Sequence, residues 1–255
     1  QLYKDGELVG NYESGTPLTE EGSYRIAAAD AAGNITEVSF TIDKSVNFAD
    51  DIYDNAIVNS MTFTAGENLT VSVTKDGEAV AYKFGDTLTA AGNYTATLTD
   101  ELGNSKTFHF TIAEPLVQKF FHNFDNVSGL DKVSVNGEET RLNYGDLTLD
   151  KSGIYEIAVT VNGKDYTFTV TVDATAPAAT LTGVENGGST KGGVTLSDLT
   201  EKATVEVYKD GEKIEYSLGS ELTEVGQYRI VLTDELGNSA EYTFEILYSV
   251  NAGAV

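Results

Sequence analysis

Hydrophobic and polar residues alternate with a period of two over long parts of this chain. Residues 228–233 read Tyr-Arg-Ile-Val-Leu-Thr, and residues 241–246 read Glu-Tyr-Thr-Phe-Glu-Ile, so that every second position is large and apolar. The same pattern occurs at 94–98 and 108–112. A period of two is typical of β-strands with one buried and one exposed face. Each pair of segments is therefore predicted to form an antiparallel hairpin.

Three short motifs recur four times and define a repeat. The first is a Lys-Asp-Gly-Glu turn at 4–7, 75–78 and 209–212, with Asn-Gly-Glu at 136–138. The second is Leu-x3-Gly-x-Tyr, which ends at Tyr24, Tyr94, Tyr155 and Tyr228. The third is Asp-x2-Gly-Asn, which starts at Asp30, Asp100 and Asp234 and is replaced by a shorter Asn-Gly turn in the third copy. Asp-Gly and Asn-Gly pairs accept positive φ easily, so these motifs mark hairpin turns.

The repeat has the size of a small domain, because the interval between successive motif tyrosines is too long for a solenoid repeat and suits an autonomous unit. Short strands with turn signals at intervals of about 8–12 residues indicate a β-sandwich. A tyrosine just before the penultimate strand predicts a tyrosine corner, in which the hydroxyl bonds back to the preceding loop. We expect an all-β chain of tandem β-sandwiches in an elongated array.

The repeats predict five segments. Residues 1–43 are the C-terminal half of a repeat, 44–113 a full domain, 114–173 a shorter domain, 174–247 a full domain, and 248–255 a tail. Because 1–43 lacks the first strands, the inner face of Val38, Phe40 and Ile42 should be partly uncovered. Short joints at 43–46, 113–115 and 173–177 indicate a stiff rod, monomeric and belonging to a longer array.

The motifs YKDGE, LTEEGSY and TDxxGN, with FTID followed by a TAP-type linker, resemble the immunoglobulin-like repeats of large bacterial surface proteins, chiefly from Firmicutes. The resemblance covers nearly the whole chain. It implies an extracellular location at the cell surface and a role as a stalk that spaces or presents other domains. An adhesin or carbohydrate-binding module that contacts a host protein or glycan is the alternative.

Charge and composition exclude several classes of function. Forty acidic against 16 basic residues give a net charge of −24, which disfavours nucleic acids and anionic membranes. No apolar run approaches the roughly 18 residues of a membrane span. Cysteine is absent, so thiolate catalysis, disulfides and zinc–thiolate sites are excluded.

Calcium is the one cofactor that the sequence suggests. The final hairpin turn of each domain should lie beside the linker that enters it. This places Asp43 near Asp100 and Asn104, and Asp173 near Asp234 and Asn238. Linker and loop oxygens of this kind are suitable ligands for calcium between tandem modules. The alternative is that these side chains only bond to the backbone of their turns.

An aromatic cluster departs from the repeat at 116–130, where Phe120, Phe121, His122 and Phe124 are concentrated. If exposed, these side chains would form a binding patch for a sugar or a protein. Alternatively, they complete the core of a shorter domain. A strand would bury positions 120 and 124 and expose 121, whereas a helix would group 117, 120, 121 and 124.

Catalytic residues are scarce, and we expect no enzyme. The chain has two histidines, and His109 lies on the outward phase of a strand. An intramolecular Lys–Asn cross-link would need an inward lysine on an early strand. Lys132 and Lys202 lie near strand starts but in polar surroundings, which argues against one.

Overall fold

The structure is a computed structural model that describes residues 1–46, 48, 52–64 and 68–248. By internal contacts it divides into two compact units. One consists of Gln1–Ile52, Met61–Leu88 and Asn93–Phe110, and the other of Tyr53–Ser60, Thr89–Gly92 and the residues from Thr111 onward. The boundaries derived from the repeats stay predictions. The part of the tail from 249 on lies outside the described residues.

The first segment forms one antiparallel sheet in the order β2-β1-β3-β4. Its strands are β1 (Leu2–Lys4), β2 (Glu7–Gly10), β3 (Gly22–Ala29) and β4 (Ile35–Ile42). Tyr24 is buried, but Val38 and Phe40 on the same face of β4 are 55% and 38% exposed. The face that Val38 and Phe40 share is thus partly uncovered, as expected, whereas the assignment of residues 1–43 as half of a repeat stays a prediction.

The second repeat contributes two sheets, in the orders β5-β11-β10-β7-β8 and β6-β9. Its strands are β5 (Ala56–Val58), β6 (Met61–Thr62), β7 (Thr70–Lys75), β8 (Glu78–Val80), β9 (Thr87–Leu88), β10 (Gly92–Thr99) and β11 (Ser105–Ile112). Phe63, just after β6, is fully buried and contacts Phe110 with ring centroids 5.9 Å apart.

The third repeat has the sheet orders β12-β18-β17-β14-β15 and β13-β16. Its strands are β12 (Leu116–Val117), β13 (Phe120–Asn123), β14 (Leu130–Val135), β15 (Glu138–Thr140), β16 (Asp146–Leu149), β17 (Gly153–Val161) and β18 (Lys164–Val172). The hairpin β17–β18 closes through Asn162 and Gly163, both with positive φ, which is the two-residue turn predicted for this copy.

The fourth repeat is a β-sandwich in which a three-stranded sheet, β19-β21-β24, faces a five-stranded sheet, β20-β26-β25-β22-β23. The strands are β19 (Thr180–Thr182), β20 (Ser189–Thr190), β21 (Val194–Ser197), β22 (Thr204–Lys209), β23 (Glu212–Ile214), β24 (Glu221–Leu222), β25 (Gly226–Thr233) and β26 (Ser239–Ile246). One buried cluster joins Val194 and Leu196 of the small sheet to Ile230, Leu232 and Phe244 of the large one. Burying an aliphatic or aromatic side chain contributes roughly 1.5–3 kcal/mol, so this alternating face drives the sandwich.

The predicted tyrosine corner is confirmed. The hydroxyls of Tyr24, Tyr155 and Tyr228 each donate to the carbonyl four residues earlier, at 2.9 Å. The glycine two residues before Tyr228 is required, because Gly226 has φ +152° and a Cβ there would lie 2.8 Å from an Asp210 carboxylate oxygen. Asp210 needs this space because its Oδ1 accepts the Gln227 amide at 2.9 Å. The Lys-Asp-Gly turn and the Leu-x3-Gly-x-Tyr motif are therefore physically linked.

A second recurring tyrosine was not predicted. Tyr216 donates to the Ser220 carbonyl at 2.9 Å and accepts the Leu196 amide of the facing sheet at 3.1 Å. Tyr82 does the same with Asp86 and with the amide of Phe63, at 2.9 and 2.8 Å. Each such hydroxyl ties the turn that connects the two sheets of a repeat to Leu196 of the smaller sheet or to Phe63 beside it. Within the described residues the chain is thus all-β, and its repeats are tandem immunoglobulin-like β-sandwiches, of which the first segment shows a single sheet.

Candidate functional site

The turn at 234–238 organises the joint that precedes the fourth repeat. Asp234 Oδ1 accepts the amides of Leu236 and Asn238 at 2.9 and 2.8 Å, and Asn238 Nδ2 donates to Asp234 Oδ2 at 2.8 Å. Partial burial would raise the pKa of the Asp234 carboxyl, but these hydrogen bonds outweigh it and the pKa lies below the ordinary value. The turn interpretation of Asp-x2-Gly-Asn is confirmed.

Asn238 also links the turn to the joint itself. Its Nδ2 donates to the carbonyl of Asp173 at 2.8 Å, and its Oδ1 accepts from Gln118 Nε2 at 2.8 Å. Asn238 is 6% exposed, one of the few buried polar side chains in the described residues. A buried amide with all these partners holds the linker, the turn and the residue that follows β12 in fixed positions relative to one another.

Three carboxylates converge at the same joint. One oxygen each of Asp173, Glu201 and Asp234 lies within 4.8 Å of the others. The pKa of Glu201 is raised, first because burial removes water from the carboxylate and then because Asp173 and Asp234 are negative. Calcium takes six to eight oxygens at roughly 2.3–2.6 Å, so three carboxylates would supply only part of its shell. The calcium site stays a prediction.

The structure therefore brings Asp173, Asp234 and Asn238 together as predicted, but Asn238 acts mainly through its amide nitrogen. Glu201 was missed by sequence reasoning. A signal existed in the sequence, because the spacing from Glu201 to Asp234 equals the spacing from Glu67 to Asp100.

The joint at 43–46 repeats the backbone part of this arrangement. Asn104 Nδ2 donates to the Asp43 carbonyl at 3.0 Å and to Asp100 Oδ2 at 2.8 Å. The Asp43 carboxylate bonds instead to Ser45, whose Oγ donates to it at 2.6 Å, and this lowers the pKa of Asp43. Asp43, Asp100 and Asn104 are thus close together, whereas Glu67 lies outside the described residues.

The joint around 113–115 is also bonded. Asn59 Nδ2 donates to the Thr169 carbonyl and Asn59 Oδ1 accepts the Thr169 amide, both at 2.7 Å. Asn55 Nδ2 donates to the Asn126 carbonyl at 3.1 Å. These bonds join the start of the predicted second domain to the third.

The aromatic cluster at 120–124 is divided between core and surface. Phe120 and Phe124 are buried, and Phe120 contacts Phe168 with ring centroids 5.8 Å apart. His122 is half-buried with its ring 4.6 Å from that of Phe124, and burial lowers its pKa. Only Phe121 of the four points outward, at 58% exposure. The strand interpretation is confirmed and the helical alternative is wrong; a ligand-binding role stays a prediction and would involve Phe121.

The remaining candidate side chains are on the surface. His109 is exposed, as expected. Lys132 is exposed, and the Lys202 side chain is 85% exposed and paired with Glu235. Neither lysine has the inward position that an internal cross-link needs. Within the described residues, no helix is long and apolar enough to span a bilayer.

The chain matches no known protein-family profile. A short segment is 45% identical over 42 residues to the outer cell wall protein of Brevibacillus brevis (strain 47 / JCM 6285 / NBRC 100599). This alignment covers 16% of the chain and 4% of that protein, so it concerns only a small part of either.

Solved structures that align with this chain include immunoglobulin-domain proteins. The N-terminal four Ig domains of Dscam1 isoform 6.44 align over 93% of this chain and 83% of theirs, with 12% identity and a TM-score of 0.29. Titin domains z1z2 in complex with telethonin align over 80% and 95%, with 16% identity and a TM-score of 0.28. The S-layer protein rSbsC(31-844) aligns over 90% of this chain and 45% of its own, with 16% identity and a TM-score of 0.17.

Proposed function

We propose that this chain is an extracellular spacing segment of a bacterial surface protein, whose domains hold other parts of the protein at a set separation. The observation that carries the proposal is that side chains bond across each of the three joints. Asn104 bonds to the joint carbonyl of Asp43, Asn59 to Thr169, and Asn238 to the joint carbonyl of Asp173. Joints of this kind limit the motion between neighbouring domains and keep a spacer from collapsing.

The surface chemistry supports an extracellular location. A net charge of −24 keeps the segment soluble and suppresses self-association. The absence of cysteine makes the fold independent of the redox state outside the cell. The short match to an outer cell wall protein agrees with the location but covers too little of that protein to carry it.

Antibodies raised against this segment test the location. They should label intact, unpermeabilised cells that make the protein, and brief protease treatment of those cells should remove the signal. Labelling that appears only after permeabilisation would overturn the proposal. An antibody against a cytoplasmic protein is the control for cell integrity.

We keep calcium as a proposed ligand of the cluster formed by Asp173, Glu201 and Asp234. A cation there would stabilise the ionised form of Glu201, whose pKa is raised first by burial and then by the negative charges of Asp173 and Asp234. It would also add contacts between the linker and two loops of the fourth repeat. These contacts would restrict motion at the joint, as a spacing segment requires.

Adhesion is the second candidate function, because Phe121 leaves a large apolar side chain exposed on the third repeat. Adhesion would be favoured if the wild-type segment retains a host protein or glycan, if Phe121→Ser abolishes this binding, and if the control Ile154→Ser keeps it. Ile154 is exposed on the same repeat but belongs to a different strand.

A further inference from the structure

A groove of about 550 Å³ lies on the fourth repeat, against the outward face of the sheet β20-β26-β25-β22-β23. One wall is the backbone of a glycine-rich segment, residues 186–193 (Asn-Gly-Gly-Ser-Thr-Lys-Gly-Gly), which has no counterpart in the sequence of the third repeat. There the Gly187 amide donates to the Thr243 carbonyl at 2.7 Å, and the Glu245 amide donates to the Gly188 carbonyl at 3.1 Å. The volume lies within the range of about 300–1,000 Å³ that small-ligand sites have.

Arg229 is at the centre of the groove floor. Its register neighbours on the two adjoining strands are Tyr208 and Thr243. The guanidinium carbon lies 4.2 Å from the centroid of the Tyr208 ring, and Nη1 is 3.4 Å from Glu241 Oε2. Contact with the ring orients the planar guanidinium, which has five N–H donors, and the long contact to Glu241 uses only one of them.

A second row of polar side chains runs beside this one. Gln227 pairs in register with Glu245, and Glu245 pairs with Ser189 of the glycine-rich segment. The groove therefore places a cationic donor, an anionic acceptor, an amide and hydroxyls side by side on an ordered sheet. We propose that it binds a neutral saccharide.

Hydroxyl chemistry is the reason for this choice. Each sugar hydroxyl both donates and accepts, so a pair of neighbouring hydroxyls can donate to the Glu245 carboxylate while accepting from the Arg229 guanidinium. An anionic ligand would be repelled by Glu241 and Glu245 and by the net charge of −24. A cationic ligand would meet Arg229, and an apolar ligand would have to desolvate these charges.

The Arg–Tyr–Glu part of this arrangement occurs a second time in the chain, where Ser23 and Thr41 take the register positions of Gln227 and Glu245. In the first segment the Arg25 guanidinium carbon lies 3.7 Å from the Tyr3 ring centroid, Arg25 pairs with Glu37, and a groove of about 410 Å³ covers this face. The second repeat lacks it, because threonines occupy the corresponding positions, with Thr74 and Thr95 facing each other in register. The sheet thus folds without the Arg–Tyr pair.

This difference provides the test variant, Tyr208→Thr/Arg229→Thr, which copies the second repeat. Backbone amide NMR spectra of the chain are titrated with neutral oligosaccharides of glucose, mannose, galactose and N-acetylglucosamine, and with sialyllactose as the acidic comparator. At least one neutral probe should cause saturable shifts at the amides of Gly188, Gln227 and Thr243. The double variant should weaken that binding at least about tenfold, equivalent to about 1.4 kcal/mol.

A matched control distinguishes binding from sheet stability. Arg229→Lys keeps the positive charge but loses the planar guanidinium with its several donors. It should therefore weaken saccharide binding while leaving the thermal midpoint within a few degrees of the wild type. The proposal is overturned if no neutral probe shifts these amides, if only sialyllactose does, or if the folded double variant binds as the wild type does. The spacing function does not depend on this groove and would survive that result.

Discussion

Replacing Asn238 with alanine removes the side chain that joins linker, turn and neighbouring repeat, and its cost can be worked from its contacts. The amide loses its bonds to the Asp173 carbonyl and to Gln118 Nε2, both at 2.8 Å and both at a residue only 6% exposed. A hydrogen bond contributes about 0.5–1.5 kcal/mol net, so these two together contribute about 2 kcal/mol. The bond to the Asp234 carboxylate is not included in this figure.

The first segment offers a matched control, Asn34→Ala. Asn34 bonds to Asp30 Oδ2 at 2.7 Å as Asn238 does to Asp234, but it is exposed. Within the described residues, the side-chain bonds of Asn34 stay inside its own turn. Its replacement should cost less than about 0.5 kcal/mol, the usual size of a surface substitution.

Native-state hydrogen exchange measures both variants without assuming that a multidomain chain unfolds in one step. In Asn238→Ala, protection of the amides of Asp173 and Asn238 should fall roughly 30-fold, which corresponds to about 2 kcal/mol. In Asn34→Ala, protection around Asp30 should change little. Equal losses in the two variants would refute the reasoning, because the bonds across the joint would then contribute nothing beyond the turn.

Three further predictions concern single side chains. The Tyr53 hydroxyl is buried with no hydrogen bond of ordinary geometry in the described residues, and burial raises its pKa to about 12. Tyr53→Phe should therefore leave the free energy of local unfolding unchanged or raise it by up to about 1 kcal/mol. Tyr242→Phe, which loses bonds to both backbone groups of Ala179, should lower it by about 1–2 kcal/mol, and native-state hydrogen exchange measures both variants. The pKa of Asp100 is lowered, chiefly by its hydrogen bond from the Asn104 side chain, so its ionised form stabilises the turn above the unfolded pKa and this contribution is lost as the pH falls through the folded pKa. In a carboxyl NMR titration Asn104→Ala should move the Asp100 pKa up towards about 3.9, and an unchanged pKa would contradict this cause. Calcium should raise the thermal midpoint of the wild type and have less effect in Glu201→Gln; an identical calcium response would remove Glu201 from the site.

Local patterns were sufficient to predict the hairpins and corners, because their causes lie within a few residues. Alternation over 228–246 identifies a buried face, and Asp-Gly pairs identify turns. The Leu-x3-Gly-x-Tyr motif contains both partners of the corner, since the Tyr228 hydroxyl reaches only four residues back.

Features that depend on residues distant in the chain were missed, because no local pattern contains both partners. Glu201 joins Asp173 and Asp234 only after the sandwich has formed. Tyr216 has the sequence context of an ordinary turn residue, and its hydroxyl meets the amide of Leu196 on the facing sheet only in the folded chain. The Tyr208–Arg229 pair needs the register of β22 against β25, which β23 and β24 separate in the chain. Local sequence patterns do not show which side chains are in contact at such separations.

The distance between the third and fourth repeats tests the central claim, that bonded joints hold neighbouring domains in place. The chain has no cysteine, so Glu139→Cys and Glu212→Cys, both at exposed strand positions, give one spin label on each repeat. Pulsed electron spin resonance should give one narrow distance distribution in the otherwise wild-type chain and a clearly broader one when Asn238→Ala is added. A broad distribution in the wild-type chain, unchanged by Asn238→Ala, would contradict the account.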